Sequence, residues 1–217
     1  MTKEQAIAII TKCAKEYHQN LEGKQICFLY KDRYNHSNFT TVRFHSHNFL
    51  HFTGICVRSG MKANDFYRAA LNNHLSARDF SFNISHTSEL KLKVLEIIMN
   101  IDTNARMIGN YSGPHVELYT EKIAGNVNAS LGLIHIKDYY VPNSVLNEDI
   151  RSIIPKPPGK IYAILKKSIK DKVYRQITYK SSKIPLCIPT ELLNTIDKTI
   201  LSDIQLNPLT KENESGS

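Results

Sequence analysis

A chain of 217 residues with 41% hydrophobic and 22% charged residues has the composition of a folded globular domain, long enough to bury a core and too short for two catalytic domains. Its four scattered cysteines form no C-x-x-C pair, and no apolar run reaches the length of a signal core or a membrane span, so a zinc ribbon, a disulfide framework and a membrane protein are not expected, and a cytoplasmic protein without cofactor is. The formal charge of +8 is concentrated: from Lys156 to Lys183 nine basic residues stand against one acid, Asp171, a footprint suited to polyphosphate, although lysines guarding a sheet edge give the same pattern.

Residues 2–21 repeat apolar positions at helical spacing (Ala6, Ile10, Cys13, Tyr17, Leu21), with Thr2 and Gln5 placed as a capping box. Residues 25–31 and 39–45 are rich in β-branched and aromatic types around a turn-like DRYNHSN, which predicts a hairpin, continued in extended form through Asn48 to Ile55. Lys62 to Leu75 and Thr87 to Ile101 carry one-sided apolar patterns and predict two helices. Short strands are expected at 106–111, 115–121, 128–136, 160–167 and 172–180, building an antiparallel sheet. Before the last two, Pro-Lys-Pro-Pro-Gly at 155–159 demands an extended loop. Thr190 is placed to cap a last helix carrying Leu193, Ile196, Ile200 and Ile204, and Lys211 to Ser217 reads as a flexible tail.

Phosphate-loop, dinucleotide, nucleophile-elbow and H-E-x-x-H motifs are all missing, and no acidic pair suggests a two-metal centre. The densest chemistry is the run from Arg43 to Gly54. In an extended segment Arg43, His45, His47 and His51 share one face, and histidine with arginine or lysine can supply the base, the acid and the charge stabilisation that metal-independent RNA cleavage needs. The same histidines also permit a metal site, or an ordinary polar strand face. Further on, Lys122, Asn128 and Ser130 lie in a glycine-containing stretch that lets backbone approach a ligand, and Tyr111, Tyr119 and Tyr140 are candidates for stacking on bases. Lys166, Lys172 and Arg175 represent the basic hairpin.

The strings NFLHFTG at 48–54, ELKLKVLEIIMNI at 89–101, ARMIGNY at 105–111, LYTEKIAG at 118–125, NASLGL at 128–133 and YYVPNSVLNEDIR at 139–151 together resemble the fourth class of phage barnase, EndoU, colicin-D and RelE-like nuclease domains, from about Ile26 to about Tyr179. The resemblance implies an α+β fold, a small antiparallel sheet packed by helices, and RNase-like activity. It singles out His51 and Gly54 in the H-x-T-G string, Lys122 in YTEK and Ser130 in NASLG. The expected organisation is an N-terminal helix (1–24), the nuclease domain (25–183), a C-terminal helix (184–210) and the tail.

The expected function is metal-independent endoribonuclease action on RNA, tRNA among the candidates, in a phage or mobile element. His51, Arg43 and Lys122 would be catalytic; His45, His47, Ser130, Asn128, Tyr140, Lys166, Lys172 and Arg175 would bind substrate. RNA or another nucleic acid is the expected partner, with an immunity protein, antitoxin or host defence complex as a second. The alternative is a catalytically silent nucleic-acid- or protein-binding inhibitor of a bacterial defence system.

Overall fold

The structure, a computed structural model, describes residues 1–112 and 120–205. Its elements run α1 (Lys3–Asn20), β1 (Lys24–Lys31), β2 (Ser37–Arg43), α2 (Asn48–Thr53), β3 (Cys56–Val57), α3 (Ala63–Leu71), β4 (Phe80–Ser81), α4 (Thr87–Met99), α5 (Ile101–Asn104), β5 (Met107–Asn110), β6 (Lys122–Gly125), β7 (Ser130–Ile136), β8 (Tyr139–Leu146), α6 (Ile150–Ile153), β9 (Gly159–Ser168), β10 (Gln176–Lys180) and α7 (Lys198–Gln205). Most of the strand expected at 115–121, with Tyr119, lies outside the described residues, as does the tail at 211–217.

The fold is α+β as expected, but the sheet is neither small nor wholly antiparallel. Eight strands follow the order β1-β2-β8-β7-β6-β5-β9-β10, and β1 also pairs with β9, so seven of them close into a ring. Strand β9 is the seam. One of its edges pairs with β1 along Lys160–Ser168, and the other pairs with β5 at Gly159–Lys160 and with β10 at Ala163–Lys166. The remaining junction, β2 with β8, is a single parallel bridge between Val42 and Tyr140. The extra strand is β8, which carries Tyr140, a candidate for base stacking. It pairs with β7 from Ser130↔Leu146 to Ile136↔Tyr139, and Pro142 is tolerated because the other edge of β8 carries only that one bridge.

Three apolar clusters follow from period-two alternation. On the inner face, Ile26 and Phe28 of β1, Val42 of β2, Ile108 of β5, Ala124 of β6 and Leu131 and Leu133 of β7 join α1, α3 and α4. On the outer face of β1 and β9, Cys27, Leu29, Ala163 and Leu165 meet Tyr174, Leu192, Ile196 and Ile200. Outside β6, Ile123 packs with Tyr111, Ile150 and Ile154. The C-terminal segment is thus laid against the back of the sheet. It forms a 3-10 turn (Thr190–Thr195) and then α7 rather than one helix, because Ile196 is drawn into a bridge with Tyr174.

The capping box of α1 is present: Gln5 N donates to Thr2 Oγ1 at 3.2 Å and Thr2 N donates to Gln5 Oε1 at 2.9 Å. The extended segment expected at 48–55 is not. The chain leaves the sheet at Arg43 and winds into α2, because Phe49 and Phe52, three residues apart, both reach the Tyr17 ring, with centroids at 5.4 and 5.7 Å. Burying two phenylalanines contributes about 2–3 kcal/mol each, more than the pairing of a short edge strand offers. Asn48 holds the turn by accepting from His45 N at 2.8 Å and donating to Pro142 O at 3.3 Å.

Helix α2 stops at Gly54, in the left-handed region at φ 64°. A Cβ there would stand 2.9 Å from Lys91 Cδ and 3.3 Å from Ser88 Cα, and the Gly54 carbonyl accepts from Ser88 Oγ at 2.6 Å. Gly54→Ala is expected to destabilise the protein by roughly 1–2 kcal/mol from the positive φ alone, read as a loss of several degrees in Tm by thermal denaturation.

Candidate functional site

The inner face of the ring is apolar over most of its depth and turns polar at one end. Continuing each core strand by two residues gives Tyr30 after Phe28, Thr40 and Asn38 before Val42, Asn110 after Ile108, Lys122 before Ala124 and His135 after Leu133. The register places these ends together: Tyr30 opposite Asn38, Asn110 opposite Lys122, and His135 opposite Tyr140. A β-bulge between Gly132 and Leu133 brings Tyr140 onto the same face as His135. The whole rim is built by alternation along strands whose other inward residues are core.

Lys122 sits at the centre of this rim. Its Nζ donates to Asn110 Oδ1 at 2.6 Å and lies 5.8 Å from the centroid of the Tyr140 ring. It makes no ion pair among the described residues, which leaves its charge available to an anion. The rings of His135 and Tyr140 are 4.8 Å apart. Burial, helped by Glu121 and Tyr30, pushes the Tyr140 phenol above its ordinary range, so it is a protonated donor at neutral pH. Thr40 is buried, and its hydroxyl has no hydrogen-bond partner among the described residues. In front of Lys122 opens a cavity of about 590 Å³ whose walls include Tyr30, Asn38, Asn110 and Gly159. Gly159 is needed there, because a Cβ would fall 2.6 Å from Tyr30 Cδ2 and 2.9 Å from Lys31 O.

The residues expected to form one catalytic strand face are divided. Arg43 points to the outer face, where its Nε donates to Gln25 Oε1 at 2.7 Å and its guanidinium lies 3.9 Å from the Tyr139 ring centroid. His45 and His47 stack at 5.4 Å beyond the strand end, and burial, then the neighbouring His47 and Arg43, hold His45 below its ordinary pKa. His51 is on α2, beside Lys91, and is lowered by burial first, then by Lys91 and His47. These three histidines do not converge, and among the described residues no group of three or more His, Cys, Asp or Glu is placed to hold a metal ion. Lys122, on the inner face, is separated by the sheet from Arg43. What brought His51 and Arg43 together in the sequence was an extended backbone that α2 removes.

Of the other candidates, Tyr140 is in the rim. Ser130 is buried and donates to Glu148 O at 3.1 Å, and Asn128 is exposed in the turn before β7, its N–H bonded to Asn126 Oδ1 at 2.8 Å. Tyr111 is buried against α6. The basic hairpin does not present a uniform face. Lys166 turns inward to Asp102, Nζ to Oδ2 2.5 Å, with 13% and 2% side-chain exposure, whereas Arg175 pairs with Asp197 at 3.3 Å and Lys172 is exposed. Residues that sequence reasoning missed are His135, Tyr30 and Asn110. The signal for His135 was in the alternation of SLGLIHI, where the inward leucines predict an inward histidine.

A family model described as phage-Barnase-EndoU-ColicinE5/D-RelE like nuclease4 matches residues 9–183. The chain belongs to this phage nuclease-like family. A nuclease's substrate is nucleic acid, and no helix among the described residues is long and apolar enough to cross a membrane. The match begins within α1 and ends before the segment that packs on the back of the sheet. Searches of curated proteins and of solved structures return no match. Three strings of the matched range have distinct physical roles: H-F-T-G is the end of α2 with its glycine cap, N-A-S-L-G seats a buried serine, and Y-T-E-K ends on the lysine at the centre of the rim.

Proposed function

We propose that this member of the family is an endoribonuclease whose reaction centre is the polar rim around Lys122. The observation that carries the reading is the lysine itself: an ammonium on the inner face with no ion pair among the described residues, with a phenol, an imidazole and an amide ranged on the same strand ends. The 2′-hydroxyl oxygen attacks phosphorus as His135 takes its proton, and the P–O5′ bond breaks as the phenol of Tyr140 hands a proton to the departing oxygen. Lys122 and the amide of Asn110 hold the non-bridging oxygens, whose charge grows in the phosphorane. The products are a 2′,3′-cyclic phosphate and a 5′-hydroxyl, and exchange with solvent takes the proton from His135 and restores the one that Tyr140 gave up.

The set His, Tyr and Lys needs no resident metal for these steps, since each proton and each charge has a protein group to meet it. Arg43 on the outer face, and His45 and His47 beyond the end of β2, have no bond-breaking role. Such an enzyme suits a phage or mobile element that degrades RNA in its host. The test is incubation of the protein with pooled RNA in EDTA, followed by end analysis. New fragments ending in 2′,3′-cyclic phosphate are expected. Tight, salt-sensitive RNA binding with no new ends would instead favour a catalytically silent inhibitor.

A further inference from the structure

The cavity in front of Lys122 does not end at the rim. It shares Asp32, Arg33 and Pro157 with a second cavity of about 520 Å³, so the two are parts of one groove running between the tip of the β1–β2 hairpin and the 155–159 loop. Beyond Lys122 the groove is lined by Lys31, Arg33, Lys156 and Lys160. Among the described residues none of these four forms an ion pair. The carboxylate they meet, Asp32, is occupied in closing the hairpin: it accepts from Tyr34 N and His36 N, both at 2.9 Å, and from Asn38 Nδ2 at 3.3 Å. The groove therefore carries a row of unspent cations.

At its mouth lies Tyr34, 64% exposed, with the Arg33 guanidinium 4.5 Å from its ring centroid. An exposed aromatic ring backed by arginine is costly to leave in water and offers a flat face to a nucleobase. The opposite wall is Pro155, Lys156 and Pro157, a segment whose prolines fix the backbone before any ligand arrives. We propose that this groove is the binding track for the nucleotides flanking the cleaved phosphate of an unpaired RNA strand. Lys31, Arg33, Lys156 and Lys160 contact phosphates, and Tyr34 stacks on one base. A duplex does not fit this arrangement, because its bases are already stacked on one another and cannot lie on the Tyr34 ring. The inference rests on the reaction centre proposed at Lys122 for its direction, while its own residues lie outside that centre.

Binding is measured by fluorescence anisotropy on the Lys122→Met protein, with a labelled 12-nucleotide unstructured RNA and with the corresponding 12-base-pair duplex, over a series of salt concentrations. The single strand is expected to bind at least tenfold tighter. The fourfold variant Lys31→Gln/Arg33→Gln/Lys156→Gln/Lys160→Gln is expected to flatten the slope of log affinity against log salt by about 2–3, as loss of four phosphate contacts to a single strand predicts. Tyr34→Ala is expected to weaken binding about tenfold with the slope unchanged, and Lys170→Gln, on the β9–β10 turn, to change neither. Equal affinity for duplex, or an unchanged slope in the fourfold variant, overturns the proposal. If Lys122→Met abolishes cleavage while the fourfold variant binds as before, the groove fails and the reaction centre stands. If the groove variants lose binding but the unmodified protein never cleaves RNA, the groove stands and the reaction centre fails.

Discussion

Lys122→Met is expected to lower the single-turnover rate of RNA cleavage by roughly 10²–10³-fold, the usual cost of removing one preorganised group that stabilises transition-state charge. Methionine keeps the length and apolar body of the lysine stem, so the inner face should stay filled. The described side-chain contacts of the lysine are one bond to the Asn110 side chain and its place over the Tyr140 ring, and neither anchors a strand, so Tm should move by no more than a few degrees. His135→Ala should cost 10²–10⁴-fold, about the contribution of a general base. His51→Ala should cleave at close to the unmodified rate. Full activity in Lys122→Met, or loss of activity in His51→Ala with the fold intact, would sink the assignment of the reaction centre to the rim.

The second large effect concerns stability. Lys166→Met is expected to destabilise the protein by about 3–5 kcal/mol, because it leaves Asp102 buried without its cation. The carboxylate is 2% exposed, its Oδ2 lies 2.5 Å from Lys166 Nζ, and its Oδ1 has no hydrogen-bond partner among the described residues. Among the described residues the ammonium has one further acceptor, Asn20 O at 3.3 Å. A pair with so little support from its surroundings offsets its desolvation poorly. The double variant Lys166→Met/Asp102→Leu should therefore recover most of the loss and could exceed the starting stability. Chemical denaturation of the two variants and the unmodified protein checks this. Equal stability of Lys166→Met and the unmodified protein would mean that water reaches the carboxylate, and Lys166 would again be available to a substrate.

That lysine illustrates why the basic segment was hard to interpret from composition. Nine positive residues within 28 positions looked like one surface, but β9 alternates, so Lys166 faces α5 while Lys167 faces Tyr174, with its Nζ 4.9 Å from that ring centroid. Burial, then the nearby Arg43, hold the Lys167 amine below its ordinary range. The cations left free for a polyanion are partly elsewhere, at Lys31 and Arg33 of the first hairpin, which the count between Lys156 and Lys183 did not include. Charge density along a chain reports neither the face of the sheet nor the partner across the core.

The histidine run failed for a related reason. His45, His47 and His51 alternate well enough for a strand, yet Phe49 and Phe52 recur at helical spacing, and the competition between the two periods is settled by Tyr17, Phe66 and Tyr67, which no local window contains. The glycine that ends the helix also looked like part of a functional string. Its positive φ and the Ser88 backbone beside it show a packing requirement.

The sequence by itself determined the class of this protein: an α+β domain, a capped first helix, a strand-rich middle and membership of the phage nuclease-like family. These are legible because propensity, capping and period-two or period-3.6 patterning act over a few residues, and because six separate strings in fixed order are hard to match by accident. Tertiary structure alone decided how the strands close, which of them meet at the polar end of the ring, and that Lys122 shares that end with His135 and Tyr140 rather than with His51 and Arg43. Those choices depend on contacts between residues far apart in the chain, on the side of the sheet each side chain takes, and on a single bulge that sets Tyr140 facing inward.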